Sequence, residues 1–579
     1  MSITSNDIRV KIYENASSIT QDFLDKTFSY GETKLQAVCE ITNGSNIIKV
    51  SSIPKYVGDD FYEGRAVLPA IKKTLGSFLN PVFQFEDTNI SVSNVDGELN
   101  KYFINGDSYN TFIGSQIVFK LGISDISSSY IEIFKGDIKN QNGIEQSKDI
   151  IQFNAQNILT NYNRTLSLPQ ITSAVFPSAP SNNIGKKIPV VIGDWTVGCN
   201  VVLTGSTKVN VSGTDYDAET YTTNNFYGGI IGYYIGGGYF VFATGNYTPS
   251  TISNTWLKRG DKLLAVNFNS TAQVVGGYYT CLISSIKKSG GGTIAYSYEQ
   301  GDELIISVSI GSDDNLVSQA KKLMTDILGL SLTSFDSSWV TLSSKATPSQ
   351  SAITTIKSRV WYGDDSTPLI EYINSMLTQV RLKLFVDKNG LFKLFSLHFE
   401  DWPTTSSVRK IDKFQVIEQS LKVNLDEQNF ICGANANYSF TPTSNATMLT
   451  TILKTNNTAK TAIGGSNILK TIDFPNLYVQ SDVDNQITEI VRLFSFPLEY
   501  LTISTAWTGL LDDIGDFLNI DIQLNGINYQ NVPCIIIDKT VNLQTFQIDY
   551  KLLSLNGFSY PNNVLTLNGM LSSYNQTLT

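Results

Sequence analysis

His398, the only histidine among 579 residues, sets the first limit on the chemistry that this chain could perform. Hydrolases with a Ser-His-Asp or Cys-His arrangement use histidine as the general base, and zinc peptidases use it among their metal ligands. His398 comes at the end of a predicted strand, where an ordinary packed or surface histidine is the expected role. The sequence therefore predicts no catalytic site of either kind.

Adjacent aspartates are the next candidates, because two carboxylates can serve a glycosidase or bind a divalent cation. Neighbouring residues of a strand point to opposite faces of a sheet, so an adjacent pair alone makes neither site. We expect these residues to act in helix caps and turns. Glycoside hydrolysis stays open as an alternative, since the fold could bring two distant carboxylates together. The adjacent pairs are Asp59-Asp60, Asp313-Asp314, Asp364-Asp365 and Asp512-Asp513.

Other metal-ligand patterns are incomplete. Asp482-x-Asp484 begins like a calcium loop, but Gln486 stands at the third ligand position and no glycine follows it. The cysteines are odd in number and form no C-x-x-C motif, so buried free thiols are expected, with disulfides or a zinc site as alternatives. They are Cys39, Cys199, Cys281, Cys432 and Cys534. No metal ion is predicted.

Two glycine-lysine segments could suggest phosphate binding. Gly185-Lys186 precedes an apolar strand that ends in Gly193-Asp194-Trp195, whereas a phosphate loop follows its strand and has the spacing G-x-x-x-x-G-K-[ST]. The second segment, Lys287 to Thr293, lacks the strand before it and the helix after it that a phosphate cradle requires. No nucleotide or other cofactor is predicted.

Bulk composition restricts the class of protein further. A net charge of −10 argues against non-specific nucleic-acid binding, although it permits a lumen through which DNA slides without sticking. The first residues carry charges where a signal peptide needs an apolar run, and no stretch has about 18 consecutive apolar residues, so neither a secretion signal nor a spanning helix is expected. The length predicts about three to five domains.

The C-terminal part has the clearest pattern of elements. A helix predicted to be capped by Ser481 or Asp482 carries one apolar stripe and stops at Pro497. Extended segments follow, interrupted by the turn Ile514-Gly515-Asp516. Together they predict a compact, barrel-like unit.

The N-terminal part, from Lys34 onward, shows short strands separated by turn residues such as Asn94-Val95-Asp96-Gly97, which is typical of a barrel or sandwich. A short helical piece is predicted near Pro69 to Phe78. A Pro/Ser-rich boundary follows from Leu168 to Asn183.

The middle part is glycine-rich and then helical. Gly228 to Gly245 is uncharged and holds seven glycines, which favours a hairpin packed in a sheet; the alternative is a loop that contacts a host membrane. Helices are predicted after Asp313 or Asp314 and after Ser366-Thr367, and an Asp-x-Asn-Gly hairpin is predicted from Leu382 to Leu397. Thr441 to Asn467 is predicted to be a surface loop.

These elements resemble one family. The strings "FSFPLEYLTIS", "DDIGDFLNIDI" and "TFQIDYKLLSL" resemble the last β-barrel domain of bacteriophage tail hub proteins. "ISVSNVDGELNKYF", "IEIFKGDIKN" and "DIIQFNAQNILTNYNR" resemble their first tube-like domain, and the "DKNGLFKLF" hairpin with the helix before it resembles their middle domain. The segment "GKKIPVVIG" is similar to one that follows the first barrel in many tail proteins.

The resemblance implies a structural virion protein without enzymatic activity, placed at the distal end of the tail after assembly in the bacterial cytoplasm. It would be a homotrimer whose six barrels join the six-fold tail tube to a three-fold tip and form part of the genome-exit channel. Implied partners are the distal tail or tail tube protein, the tape-measure protein, and a tail spike or fibre, with DNA only in transit and transient host-membrane contact possible. The alternative is a tail-tip protein that binds or degrades host-surface glycan.

The predicted fold is mainly β with a few helices, in several domains, with two tail-tube-like β-barrels flanking a middle α+β region. The predicted divisions are an N-terminal arm (1–33), a first tube-like barrel (34–170), a glycine-rich β domain (171–310), a helix-plus-hairpin α+β domain (311–420), a second tube-like barrel (421–560) and a C-terminal tail (561–579).

Overall fold

The structure is a computed structural model that describes residues 35–555 with internal gaps. The arm predicted for 1–33 and the tail predicted for 561–579 lie outside the described residues. The described chain is mainly β with a few helices and forms several sheets, which confirms the predicted fold class. Among the described helices, none has the length and apolar composition needed to cross a membrane. The longer gaps are 77–86, 101–111, 201–218, 221–230, 289–302, 345–355, 399–408 and 442–446.

The N-terminal sheet, the first barrel, closes on itself. Its spatial order is β3-β4-β2-β1-β8-β9-β11-β7-β5, with β10 also on β11. Only Arg65 separates β4, which pairs with β2, from β5, which pairs with β7, so one extended segment joins the two ends of the sheet. The strands of this part of the chain are β1 Leu35–Asn43, β2 Asn46–Ser51, β3 Lys55–Val57, β4 Asp60–Gly64, β5 Ala66–Val67, β6 Ala70–Thr74, β7 Asp87–Ser93, β8 Gln116–Ile123, β9 Ile131–Ile138, β10 Ile144–Gln146 and β11 Ile150–Asn157.

The middle sheet has the order β14-β15-β18-β17-β16-β19-β12-β20, with β13 on β17. The glycine-rich stretch forms the antiparallel hairpin β14–β15, as predicted, and β15 continues into the sheet by pairing with β18. The strands are β12 Val190–Asn200, β13 Glu219–Thr220, β14 Ile231–Gly236, β15 Tyr239–Gly245, β16 Pro249–Arg259, β17 Lys262–Val275, β18 Tyr278–Lys288, β19 Glu303–Ile310 and β20 Val360–Tyr362.

A helical region with one hairpin follows the middle sheet. The first helix is capped by Asn315, whose side-chain oxygen accepts from the N–H groups of Val317 and Ser318, so the predicted caps Asp313 and Asp314 are wrong; both lie outside the described residues. The predicted Asp-x-Asn-Gly hairpin is confirmed. The elements are α1 Leu316–Lys322, continued by the π-helical turn Leu323–Ile327, α2 Ser338–Ser344, α3 Leu369–Thr378, β21 Leu382–Val386 and β22 Phe392–Ser396.

The C-terminal sheet, the second barrel, has the order β23-β29-β30-β31-β28-β24. It also closes through one segment: β23 pairs with β29, and β24, which follows β23 after nine intervening residues, pairs with β28. A separate sheet, β26-β25-β27, packs on helix α5. The elements are β23 Arg409–Asp412, β24 Lys422–Asp426, β25 Gly433–Thr441, β26 Thr447–Thr455, α4 Asn457–Ala462, β27 Leu469–Phe474, α5 Gln480–Phe494, β28 Leu498–Thr505, β29 Phe517–Leu524, β30 Ile527–Asn542 and β31 Ile548–Ser554.

The two barrels repeat one topology. Four antiparallel strands lie in the order β7-β11-β9-β8 in the first barrel and β28-β31-β30-β29 in the second. In both, the closing segment precedes these four strands in the chain and pairs antiparallel with the first of them. Its other half pairs in parallel, with β2 in the first barrel and directly with β29 in the second. The β1–β2 hairpin is the main addition to the first barrel, so the second is a smaller version of the same fold.

The same glycine turn enters the equivalent strand in both barrels. Gly114 before β8 and Gly515 before β29 both have positive φ, +76° and +79°. Their N–H groups donate to equivalent carbonyls, that of Ile138 at 3.0 Å and that of Ile536 at 2.8 Å. A positive φ is readily adopted by glycine and strained for other residues, which explains the residue type at both places.

Two sequence predictions of local structure are wrong for the same reason. The helical piece predicted near Pro69 to Phe78 is the strand β6, which pairs with β30 of the second barrel. The surface loop predicted from Thr441 to Asn467 contains β26 and α4, and β26 pairs with β25. In each case a partner strand, which local patterns do not reveal, decides the structure.

The predicted cap of α5 is also wrong. The helix begins at Gln480 after Val479, which makes no side-chain cap bond. Asp482 instead accepts a hydrogen bond at 3.1 Å from the N–H of Lys357, so its carboxylate joins the helix to another part of the chain.

Replacing Gly515 by alanine should destabilise the protein more than the same change at Gly390. Gly390 has a similar φ of +75° with open space where a Cβ would lie, so backbone strain alone should lower the free energy of unfolding by about 1–2 kcal/mol. At Gly515 a Cβ would lie 3.1 Å from Cδ2 of Phe395, and this crowding should add about 1 kcal/mol. Chemical denaturation of both variants measures the difference; equal losses would contradict the crowding.

Candidate functional site

Strand β6, which follows β5 of the first barrel in the chain, completes an edge of the second barrel, and we take this junction as the candidate functional site. Strand β6 pairs antiparallel with residues 538–542 of β30, beyond the point where β29 begins. The ladder continues at both ends, from the N–H of Leu75 to the carbonyl of Ile537 at 2.9 Å and from the N–H of Leu543 to the carbonyl of Pro69 at 3.2 Å. The junction is therefore held by main-chain hydrogen bonds.

Two buried lysines face each other across this junction, and we call them the lysine pair. Lys73 of β6 lies opposite Lys539 of β30 in the register, and they are 9% and 4% exposed. Two like charges directly opposite would repel each other unless both found acceptors. The lysine pair should therefore have polar partners nearby.

Both members of the lysine pair point to the loop that precedes the glycine turn of the second barrel. Nζ of Lys539 donates to the carbonyl of Leu510 at 2.9 Å and to that of Asp512. Nζ of Lys73 lies 4.0 Å from a carboxylate oxygen of Asp513 and donates at 3.4 Å to the carbonyl of Asp387 in the β21–β22 hairpin. Lys73 thus links the first barrel, the second barrel and the helical region.

The other carboxylate of this loop is also paired. Asp512 forms an ion pair with Arg409 of the closing segment and accepts a hydrogen bond at 2.6 Å from the hydroxyl of Tyr550. Burial raises the pKa of Tyr550 to about 12, so this hydroxyl keeps its proton and donates. The predicted pair Asp512-Asp513 is therefore a turn held by cations and a phenol, as expected of structural aspartates.

The remaining acidic candidates that the structure describes lie in ion pairs or in an exposed turn. Asp60 pairs with Lys49 at 2.5 Å, and Asp59 lies in the exposed turn between β3 and β4. Asp484 of the calcium-like segment pairs with Lys454 at 2.7 Å. The pair Asp364-Asp365 lies outside the described residues. Among the described residues no group of three potential metal ligands occurs.

His398 is fully buried, and its ring contacts the main chain. Its Nε2 lies 3.0 Å from the carbonyl of Val380, and burial together with the charge of Arg381 lowers the pKa of His398 to about 3. A neutral, enclosed imidazole at the end of β22 cannot reach a substrate. The sequence predicted an ordinary packed or surface histidine, and the structure places it in the packed interior.

Lys383 is a buried lysine that sequence patterns do not reveal. Its residue is only 2% exposed within β21. Burial lowers the pKa of Lys383 to about 8. No local signal in the sequence predicts such burial.

The cysteine and glycine-lysine candidates have structural explanations where they are described. Cys39, Cys432 and Cys534 are buried free thiols, as predicted, whereas the side chains of Cys199 and Cys281 lie outside the described set. Gly185 has φ +85° in a turn closed by its N–H bond to the carbonyl of Ile171 at 2.8 Å. The glycines of the second segment, 290–292, lie outside the described residues.

Replacing Lys73 by methionine should weaken the junction, whereas replacing Lys72 should not. Loss of the buried ammonium leaves Asp513 and the carbonyl of Asp387 short of a donor, which should lower the free energy of unfolding by about 1–3 kcal/mol. Lys72 lies on the exposed face of the same strand, so Lys72→Met should stay within about 0.5 kcal/mol of the parent. Thermal unfolding of both variants tests this, and equal midpoints would contradict it.

The buried His398 should make the protein less stable in mild acid. Because the folded pKa of about 3 is below the unfolded value of 6.5, only the unfolded chain takes up a proton as the pH falls through that window. The free energy of unfolding should drop by about 2 kcal/mol from this residue between pH 7 and pH 5. His398→Gln, compared with the parent at both pH values, should lack this part of the drop; identical pH responses would contradict it.

Solved structures similar to this chain include tail and virion proteins. A tail protein from Neisseria meningitidis MC58 is similar over 90% of this chain and 96% of its own, at 10% identity and a TM-score of 0.39. The 43 kDa tail protein of prophage MuSo2 from Shewanella oneidensis is similar over 90% and 98%, at 6% identity and a TM-score of 0.38. A chain of the virion of a native gene transfer agent particle is similar over 68% and 88%, at 7% identity and a TM-score of 0.35. No family model and no curated protein matches the chain.

Proposed function

We propose that this protein is a structural component of a phage virion, the central hub of the tail tip or baseplate. In this role three copies form a ring that joins the six-fold tail tube to a three-fold tip and surrounds part of the genome-exit channel. The protein is a non-enzymatic component placed at the distal end of the tail.

The observation that carries this proposal is the repeated barrel. One chain holds two barrels with the same strand order and the same glycine turn, and it joins them side by side through β6 and β30. Three such chains around a three-fold axis would present six similar barrels in a ring. A hub that matches two symmetries needs this combination, because six barrel units face the tube while only three chains face the tip.

The candidate chemistry supports a structural role. The described carboxylates that the sequence singled out lie in ion pairs, helix contacts or an exposed turn, and the only histidine is enclosed. The net charge of −10 suits a channel wall along which DNA moves without binding. The ring would contact the tail tube or distal tail protein on one side and a spike or fibre on the other, with the tape-measure protein in the lumen.

A second candidate is a tail-tip protein that binds host-surface glycan. It is favoured by Tyr56 and Phe61 on the β3–β4 hairpin, which are 66% and 46% exposed with ring centroids 5.0 Å apart. Exposed aromatic clusters are uncommon on a free surface and often mark a binding site.

The mass of the purified chain in solution, together with electron-microscopy class averages, tests the hub. We expect particles of three chains with a central lumen and a six-fold-like rim. A monomer that stays monomeric at high concentration and with added tail-tube protein would contradict the hub. The glycan candidate would then be tested by comparing glycan binding of the parent with that of a Tyr56→Ala, Phe61→Ala variant.

A further inference from the structure

In the residues that the structure describes, the first barrel leaves an edge without a partner strand at the place where the second barrel receives β6. Strand β9 ends at Ile138, and after five residues the chain resumes as β10, which pairs with the same neighbour, β11. The N–H of Ser147 donates to the carbonyl of Ile150 at 2.9 Å, as the N–H of Asn542 donates to that of Gln547 at 2.9 Å. Residues 144–146 are therefore the counterparts of 539–541, which lie under β6 in the second barrel.

The outer edge of β10 carries main-chain groups ready to pair. Because Ser147 and Gly143 bond to β11, strand alternation turns the N–H and carbonyl groups of Ile144 and Gln146 away from it. Among the described residues, β10 pairs with β11 alone. Gln146 is exposed, and the adjacent Ile150 is 48% exposed. An unpaired edge of this kind is a template for another strand.

The second barrel contains a matching donor at the equivalent point of the chain. β6 lies between the closing segment and β7 of the first barrel. The sheet β26-β25-β27 lies between the closing segment and β28 of the second. We call each of these inserted segments the insertion of its barrel. The insertion of the first barrel, β6, pairs with the second barrel of the same chain. Among the described residues, the sheet that forms the insertion of the second barrel pairs with neither barrel of its own chain. Its edge can therefore pair with a barrel of the next copy.

β26 is the strand of this insertion with an exposed edge suited to pairing. The N–H of Asn456 donates to the carbonyl of Cys432 at 2.7 Å. Because main-chain groups alternate in direction along a strand, the N–H and carbonyl groups of Thr451, Leu453 and Thr455 point away from β25. Leu453 is also 55% exposed, and Leu469 on the same sheet is 43% exposed. Edge strands usually carry charges or proline that prevent association, but the sequence TMLTTILKT has one lysine and no proline.

We propose that β26 of one copy adds to the open edge of β10 in the next copy, forming the contact between subunits. This proposal rests on the hub function proposed above and identifies the strands that close its ring. In the resulting ring, the insertion of each barrel pairs with the next barrel. This pairing lies within the chain at β6–β30 and between chains at β26–β10. Such head-to-tail contacts close into a ring when the rotation per chain is one third of a turn.

Proline substitutions at the two edges test this contact. Gln146→Pro and Leu453→Pro each remove an outward N–H without breaking a bond to the neighbouring strand of the same sheet. We expect either change to raise the chain concentration needed for three-chain particles at least about tenfold, as the loss of a few edge hydrogen bonds implies. Thr471→Pro on β27, the opposite edge of the donor sheet, is the matched control and should assemble like the parent.

The outcomes separate this contact from the hub function. If the parent forms three-chain particles and both edge variants do too, the β26–β10 contact is wrong and the hub stands. The contact is also wrong if Thr471→Pro alone blocks assembly. If the parent itself stays monomeric, both proposals fail. Circular dichroism and thermal unfolding must show that each variant keeps the parental fold.

Cross-linking gives a readout that does not depend on assembly defects. A mixture of Gln146→Cys chains and Leu453→Cys chains, treated with a bis-maleimide, should give cross-linked dimers well above the level of either variant alone. The native cysteines that are described are buried, and the parent chain treated with the same bis-maleimide sets their background. No increase in the mixture, with particles present, would overturn the contact.

Discussion

The structure depends on one pairing of strands, β6 with β30, which are separated by more than 400 residues of sequence. Main-chain hydrogen bonds fix both the distance and the register of the two barrels, as side-chain contacts alone would not. The register also brings Lys73 opposite Lys539 and directs both toward the loop before Gly515. A single strand therefore sets the position of one barrel and supplies a cation that stabilises the turn of the other.

The helical region braces this arrangement through buried polar contacts. Asn476, just before α5, donates to the carbonyl of Arg359 at 2.9 Å and exchanges hydrogen bonds with Gln379. The guanidinium of Arg359 lies 4.3 Å from the ring centre of Trp195 in the middle sheet and 5.0 Å from that of Tyr478. Because buried polar groups are costly to leave unpaired, these contacts couple the middle sheet, the end of α3 and the segment before α5.

Closure of each barrel explains which edges remain for association. A segment before the four repeated strands joins both ends of each sheet, so most edges disappear within the barrel. The bulge after Ile138 and the long β30 leave one further edge on each barrel at equivalent places. The chain itself covers that edge on the second barrel. Its counterpart on the first barrel has no partner strand in the part of the chain that the structure describes.

The sequence by itself determined the elements that local patterns encode. The hairpin around Gly390, helix α5 and the turn at Gly515 follow from residues close in the chain, because φ preference and helical periodicity act over a few positions. The strand β6, the pairing of β26 and the closing segments were decided by the tertiary structure. Each of these segments is short or ambiguous alone and takes its conformation from a strand far away in the sequence. The hydrogen bond that Asp482 accepts from Lys357 and the burial of Lys73 were likewise decided by partners far away in the sequence, which no local pattern contains.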